Sequence, residues 1–335
     1  MRHKVRCVLL ALIAAAATRG TAAETTEIRF AKQTSMGYVQ FNILDHRQLI
    51  EKHAKAQGLA DIKVTWATFN GPDAMNTALL AGDVDVVAGG VPALVILWAK
   101  SRGTAQEVRG IAALSSQPFL LNTRNPNVKT IRDFTDADRI AVPAVGVSVQ
   151  AVTLRMAAAQ AFGKENYAKL DRLTVSLPPP DATIGLISGG GAFDSAFSVP
   201  PFQTQQLLTP GIHTVLNSYD VLGGPHTFTV AWTSRKFHDE NPKLYRALMD
   251  ALAEATEILN ADKRAAAQLW MEDAKSKLQP DLVYEVISGQ QVKWTLVPEN
   301  TMKYASFMYD VGIVKAVPAS WKELFFPEIH GAGGS

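Results

Sequence analysis

The chain has 335 residues, with 33 lysines and arginines against 31 aspartates and glutamates, a formal net charge of +2 and one cysteine. At about 100–200 residues per domain the length allows two or three domains, and an apolar fraction of 47% excludes a wholly disordered chain. A single cysteine excludes an intrachain disulfide and any Cys-rich zinc module.

In chain order, Arg2, Lys4 and Arg6 precede an apolar run from Val8 to Ala17, and small residues follow at Thr21, Ala22 and Ala23. That is the order of a secretory signal peptide, and the run is shorter than the roughly 20 apolar residues a bilayer span needs. A signal peptide over residues 1–23 is therefore expected, cleaved after Ala23. Its removal takes away Arg2, Lys4, Arg6, Arg19 and Cys7 and no acid, which leaves 29 basic against 31 acidic residues. The exported chain is then slightly acidic and free of cysteine. Its basic residues are interspersed among acids with no stripe to follow a phosphate backbone, so no nucleic-acid partner is expected. A soluble periplasmic location is expected.

The segment Glu27–Lys32 alternates as a strand does, and apolar positions from Ile43 to Gln57, closed by Gly58, predict one helix. Strands are predicted at Ile62–Thr68 and Val84–Ala88 and helices at Asp73–Ala81 and Pro92–Lys100. Strands at Arg109–Leu114, Phe119–Asn122 and Arg139–Val142 come next, then a helix from Ser148 to Phe162 closed by Gly163. Leu173–Ser176, Asp181–Ile187, Ala192–Phe197 and Pro201–Leu208 repeat the order strand, helix, strand, helix. From Asn241 onward the pattern is helical: Pro242–Asn260, Asp262–Met271, Asp281–Ser288 and Glu299–Asp310. This alternation predicts an α/β fold with parallel sheets and crossover helices. An internal echo sharpens it. Pro72-Asp73-Ala74 returns as Pro180-Asp181-Ala182, and Val91-Pro92 as Val199-Pro200, both at an offset of 108. Between each pair lie a helix, a glycine turn and a strand carrying an acid, which suggests two similar lobes.

The chain offers little that reads as catalysis. Gly146-Val147-Ser148-Val149-Gln150 starts like a nucleophile elbow, but Gln150 replaces the second glycine. Ser148 is better placed as a helix N-cap. His46 and His53 are seven apart, too far for the i, i+4 pair of a zinc-protease helix, and the scattered histidines are expected at the surface. Gly189–Gly191 lacks a following Lys-Ser/Thr and precedes a strand, so it is a helix cap and turn, not a phosphate loop. No cofactor, metal or catalytic residue is assigned. Binding is better supported. Helices are predicted to start after strands at Gly37-Tyr38, Gly71-Pro72-Asp73, Gly90-Val91-Pro92, Ser148 and Ser198-Val199-Pro200. Each start leaves backbone N–H groups free and favours an anion, and in α/β sheets such starts gather where ligands bind.

Residues Glu27 to Trp270 resemble the periplasmic solute-binding proteins of nitrate/sulfonate/taurine-type ABC importers, a group that includes thiamine-precursor binders. The resemblance is carried by Asn70-Gly71-Pro72-Asp73-Ala74 with the run from Ala78 to Asp85, by Gly146-Val147-Ser148, by Asp194 through Phe202, and by Phe237 to Pro242. It implies a two-lobed α/β fold of the type II periplasmic binding protein, with two crossing strands and a hinge. The first lobe would comprise 24–118 plus 225–335, the second 119–224. The cleft residues it implies are Ser35, Met36, Tyr38, Asn70, Gly90, Val91, Gln117, Phe119, Ser148, Val149, Ser198, Val199 and Gly223. Ser116 to Phe119 and Gly223 to His226, at the crossings, would line the cleft, and the helical tail from Pro280 would pack on the first lobe. Where many members carry Trp-Asp-Pro-Phe, this chain has Val199-Pro200-Pro201-Phe202, so an aromatic wall and an acid are missing there and the usual ligand is not assumed.

The resulting expectation is a non-enzymatic, monomeric extracytoplasmic binding protein. It would capture a small organic anion, a sulfonate such as taurine or a carboxylate, and deliver it to the membrane subunits of an ABC permease. The alternatives are a thiamine-precursor (pyrimidine) binder, a pyrimidine-synthesising enzyme on the same scaffold, or a sensory protein that docks on a membrane receptor when loaded.

Overall fold

The computed structural model describes residues 23–335; the expected signal peptide lies, but for Ala23, outside them. Two sheets organise the chain. The first section runs β1 (Glu27–Lys32), a 3₁₀ turn at Met36–Tyr38, α1 (Val39–His46), α2 (Leu49–Ala56), β2 (Lys63–Thr68), α3 (Pro72–Ala81), β3 (Val86–Gly89), α4 (Val91–Ser101) and β4 (Val108–Ser116). The chain then enters the second sheet with β5 (Leu120–Thr123), followed by β6 (Ile140–Val142), α5 (Val149–Phe162), β7 (Thr174–Ser176), α6 (Pro179–Ser188), β8 (Ser195–Phe197), α7 (Phe202–Leu207), β9 (His213–Asn217) and α8 (Ser218–Leu222). It returns to the first sheet with β10 (Thr227–Ser234) and continues through α9 (Arg235–Glu240), α10 (Pro242–Ala261), α11 (Lys263–Asp273), α12 (Pro280–Ser288), β11 (Lys293–Trp294), α13 (Thr301–Asp310) and α14 (Trp321–Leu324).

The strand orders are β11-β4-β10-β3-β1-β2 and β7-β6-β8-β5-β9. The internal echo is visible in them. The run β2-β1-β3-β10 in one sheet matches β7-β6-β8-β5 in the other: three parallel strands, then one antiparallel strand. The echoed helices α3 and α6 are each ten residues long, carry proline in the first turn, and end at glycines in the left-handed region, Gly82 (φ 78°) and Gly189 (φ 72°). A side chain with Cβ is disfavoured at those two caps, which fixes where each helix turns into its strand. The fold is thus the two-lobed α/β architecture expected.

The expectation of purely parallel sheets does not hold. In each sheet the strand that arrives from, or has just left for, the other lobe runs against its neighbours: β10 pairs antiparallel with β3 and β4, and β5 with β8 and β9. The single helix expected over 43–57 is also two. Helix α1 starts earlier, at Val39, and the chain breaks at Gln48, which adopts φ 50° before α2. The longest strand left without a prediction is β10, seven of whose eight residues are buried. Its threonines are buried because their hydroxyls have partners: Thr233 Oγ1 donates to the Asp85 carbonyl at 2.6 Å, and Thr227 Oγ1 accepts from Glu299 N at 2.8 Å.

The core follows the central strands. Phe30 stacks on Trp66 with centroids 4.3 Å apart, and Trp232, fully buried, donates from Nε1 to Asn76 Oδ1 at 3.1 Å. The tail from Pro280 packs on the first lobe, where β11 pairs with β4 and Phe326 N donates to the Gly110 carbonyl at 2.9 Å. It also reaches the second lobe through α13, where Thr153 Oγ1 and the Tyr304 hydroxyl are 3.0 Å apart.

Candidate functional site

The site is built from the starts of helices. Between the lobes, one cavity is lined by Pro72 at the head of α3, Gly90 at the head of α4, Ser148, Val149 and Gln150 at the head of α5, and Pro179 at the head of α6. The two glycine- or proline-marked starts of the first lobe therefore face two starts of the second. Their first N–H groups have no carbonyl one turn earlier within the helix, and the aligned peptide dipoles place partial positive charge there. Remaining walls come from Gln33 to Ser35 and Tyr38 after β1, from Phe228 and Thr229 on β10, and from Pro143 and Val199.

Local hydrogen bonds hold these groups in place. Ser35 Oγ accepts from Gly37 N at 3.1 Å, and its carbonyl accepts from Trp270 Nε1 at 3.3 Å. Ser148 caps α5: its Oγ donates to the Ala144 carbonyl at 2.7 Å and accepts from Ala151 N at 3.3 Å. The Tyr38 hydroxyl accepts from Gln33 Nε2 at 2.9 Å, and burial pushes its pKa far above the ordinary phenol value. Arg155 stands near, but its guanidinium is committed to Asp171 (Nη2–Oδ2 2.6 Å) and to the Gly146 carbonyl (3.2 Å). Among the described residues, no charged side chain lines the cavity.

The lobes meet around it. Met36 N donates to the Pro200 carbonyl across the cleft at 3.0 Å. A Cβ built on Gly90 would lie 2.5 Å from Val149 Cβ, so the head of α4 touches the head of α5 with no room for a side chain. About 30 Å³ remains open to the centre of a water-sized sphere, more than the roughly 10–15 Å³ one water needs and too little for a large organic molecule.

Six of the residues anticipated from sequence line this cavity: Ser35, Tyr38, Gly90, Ser148, Val149 and Val199. The other seven do not. Met36 is buried beside it and contributes the cross-cleft N–H, Val91 is buried in the first turn of α4, and Asn70 is exposed before Gly71. Gln117 and Ser198 are buried with Gln117 Oε1 and Ser198 Oγ lacking protein partners, and Gly223 caps α8 at φ 69°. Phe119 is fully buried in an aromatic cluster with Phe197, His226 and Phe228. Lining residues not anticipated include Gln33, Thr34, Pro143, Phe228 and Thr229. Phe228 and Thr229 belong to β10, the strand the pattern reading passed over; their alternation with Thr227 and Val230 was the available signal.

The crossings pack into the core and do not line the cavity, which corrects the placement of His226 both in the cleft and at the surface. His226 is fully buried. Its Nδ1 is 3.0 Å from the Thr227 carbonyl, which only accepts, so Nδ1–H donates there and Nε2 accepts from the Ser218 hydroxyl at 2.9 Å. Ser218 Oγ in turn accepts from Phe119 N at 3.1 Å, tying the outgoing crossing to the returning one. Burial lowers the imidazole pKa to about 4, so the ring is neutral near neutral pH.

Residues 21–271 match the model of the NMT1-like family. A search of curated proteins returns no significant match. Among solved structures, the alkanesulfonate-binding protein SsuA of Xanthomonas axonopodis pv. citri, bound to MOPS, is similar with TM-score 0.70 and 17% identity, over 88% of this chain and 96% of that one. The periplasmic nitrate-binding protein NrtA of Synechocystis PCC 6803 gives 0.69 and 16%, over 90% and 84%. The periplasmic aliphatic sulphonate binding protein SsuA of Escherichia coli gives 0.65 and 17%, over 90% and 92%. These identities speak for the fold, and the family match covers most of the chain. The chain belongs to the NMT1-like family and has the periplasmic binding protein fold that its sequence resembles.

Proposed function

We propose that the protein is an extracytoplasmic solute-binding protein that captures a small organic anion, a sulfonate or carboxylate, between its lobes and delivers it to an ABC permease. One observation carries this reading: four helix starts, two from each lobe, converge on a small cavity that, among the described residues, is lined by no charged side chain. Such a cavity suits an anionic head group bound by backbone N–H donors in place of ion pairs. The similar proteins bind nitrate or sulfonates, which agrees with it. The lobe boundaries would fall at the crossings, giving 24–118 plus 225–335 and 119–224, with the protein acting as a monomer in the periplasm. Among the described residues, no group lining the cavity titrates near neutral pH, which favours binding over acid–base chemistry.

The test is a thermal-shift panel of sulfonates, nitrate, carboxylates and pyrimidines on the purified protein. A specific ligand at 100 times its dissociation constant stabilises by about 2.7 kcal/mol. Stabilisation by sulfonates or carboxylates is the expected result. A flat response refutes the ligand class, and a response to pyrimidines alone moves the reading to thiamine precursors.

A further inference from the structure

A second chamber adjoins the closed cavity and shares Thr34 with it. It measures about 280 Å³ in the same terms, roughly twice the ~150 Å³ that holds benzene in a dry protein cavity. Ile184 and Phe202 of the second lobe and Trp270 and Leu278 of the first form its apolar walls. Ile184 is 68% exposed, a large aliphatic side chain left uncovered at a ligand-sized opening. Lys277, itself exposed, is among the described residues the one charged side chain lining either cavity, and no described carboxylate lines either to answer it.

We propose that this chamber is a second subsite, taking an apolar spacer of the ligand that ends in a second acidic group held by Lys277. The ligand is then an organic diacid, with one acid at the helix starts and the other at Lys277. This rests on the anion reading above, since the shared Thr34 places the chamber directly beside that cavity. The small cavity admits a head group and little more, and the apolar-lined space beside it is where the body of a larger ligand would lie. An ammonium beside that apolar wall favours a ligand whose far end is negative over one whose far end is a methyl group.

Calorimetric titration with methanesulfonate, hexanesulfonate and 6-sulfohexanoate tests it; flexible spacers let the two ends find their own separation. Hexanesulfonate should bind more tightly than methanesulfonate by about two- to fourfold for each methylene the chamber covers. The added carboxylate of 6-sulfohexanoate should gain a further two- to fivefold or so, the range of a partly exposed ion pair. Lys277→Met should bring hexanesulfonate and 6-sulfohexanoate to equal affinity, and Ile184→Asp should erase the advantage of the longer chain. Both positions are exposed, and an unchanged unfolding temperature confirms the fold of each variant. If methanesulfonate binds but neither the spacer nor the second acid improves affinity, the subsite is refuted and the anion reading stands. If none of the three binds, the anion reading falls and the subsite with it.

Discussion

Gly90 meets Val149 of the other lobe with no room for a side chain, and adding one carbon there tests whether lobe closure is what binds ligand. Its φ of −74° suits any residue, so Gly90→Ala strains no backbone. As the N-cap of α4 the glycine makes no side-chain cap, and its loss costs the first lobe at most about 1 kcal/mol. Closure is another matter. The new Cβ would sit 2.5 Å from Val149 Cβ, more than 1 Å inside the ~3.5–4.0 Å optimum for two carbons. Overpacking of this kind costs about 1–3 kcal/mol, and because only the closed form suffers it, affinity should fall by about 5- to 150-fold. Calorimetry with the best ligand from the panel measures this directly. The pair Gly90→Ala with Val149→Gly removes the three side-chain carbons that the new methyl would meet and should recover much of the loss. Wild-type affinity in Gly90→Ala, or no recovery in the pair, would refute the closure argument.

Ser148→Ala should weaken ligand binding while lowering stability by only about 1 kcal/mol, the worth of an N-cap; unchanged affinity removes Ser148 from the site. Stability should depend on pH through His226. Well above pH 6.5 its ring is neutral both folded and unfolded. As pH falls from 6.5 toward 4 the unfolded chain takes up a proton that the folded one refuses, so about 3 kcal/mol of stability is lost over that window. Denaturant midpoints from pH 4 to 7 should show this slope in the wild type and less of it in His226→Gln, and an identical slope in both would exclude His226 as the source. Gly110→Ala should destabilise by about 1–3 kcal/mol in urea unfolding, because a Cβ there would lie 2.5 Å from the Phe325 ring. A change below 0.5 kcal/mol would show that the C-terminal segment yields freely.

Elements with their own punctuation were legible in the sequence. Gly71-Pro72 and Gly82 bracket α3, Ser148 and Gly163 bracket α5, and the 108-residue echo anticipated the matching halves of the two sheets. The strand β10 was not legible in the same way. Its threonines look like a solvent-facing stripe, and only tertiary partners such as the Asp85 carbonyl make their burial tolerable. The break at Gln48 carries no glycine or proline to mark it. Helix starts located half of the cavity wall, since that is a local property. The crossings misled because chain order alone does not say which side of a connecting strand faces the gap: Phe119 and His226 face each other and the core.

Because no ionised side chain among the described residues lines the cavity at the helix starts, dissolved salt has no ion pair there to weaken. Free ions weaken exposed charge pairs over a Debye length of about 8–10 Å, whereas at peptide dipoles a small anion competes for the same N–H groups. Affinity for a simple head group should therefore fall as the concentration of a small competing anion such as chloride rises. A steeper dependence for a ligand that also reaches Lys277 would belong to that exposed ammonium.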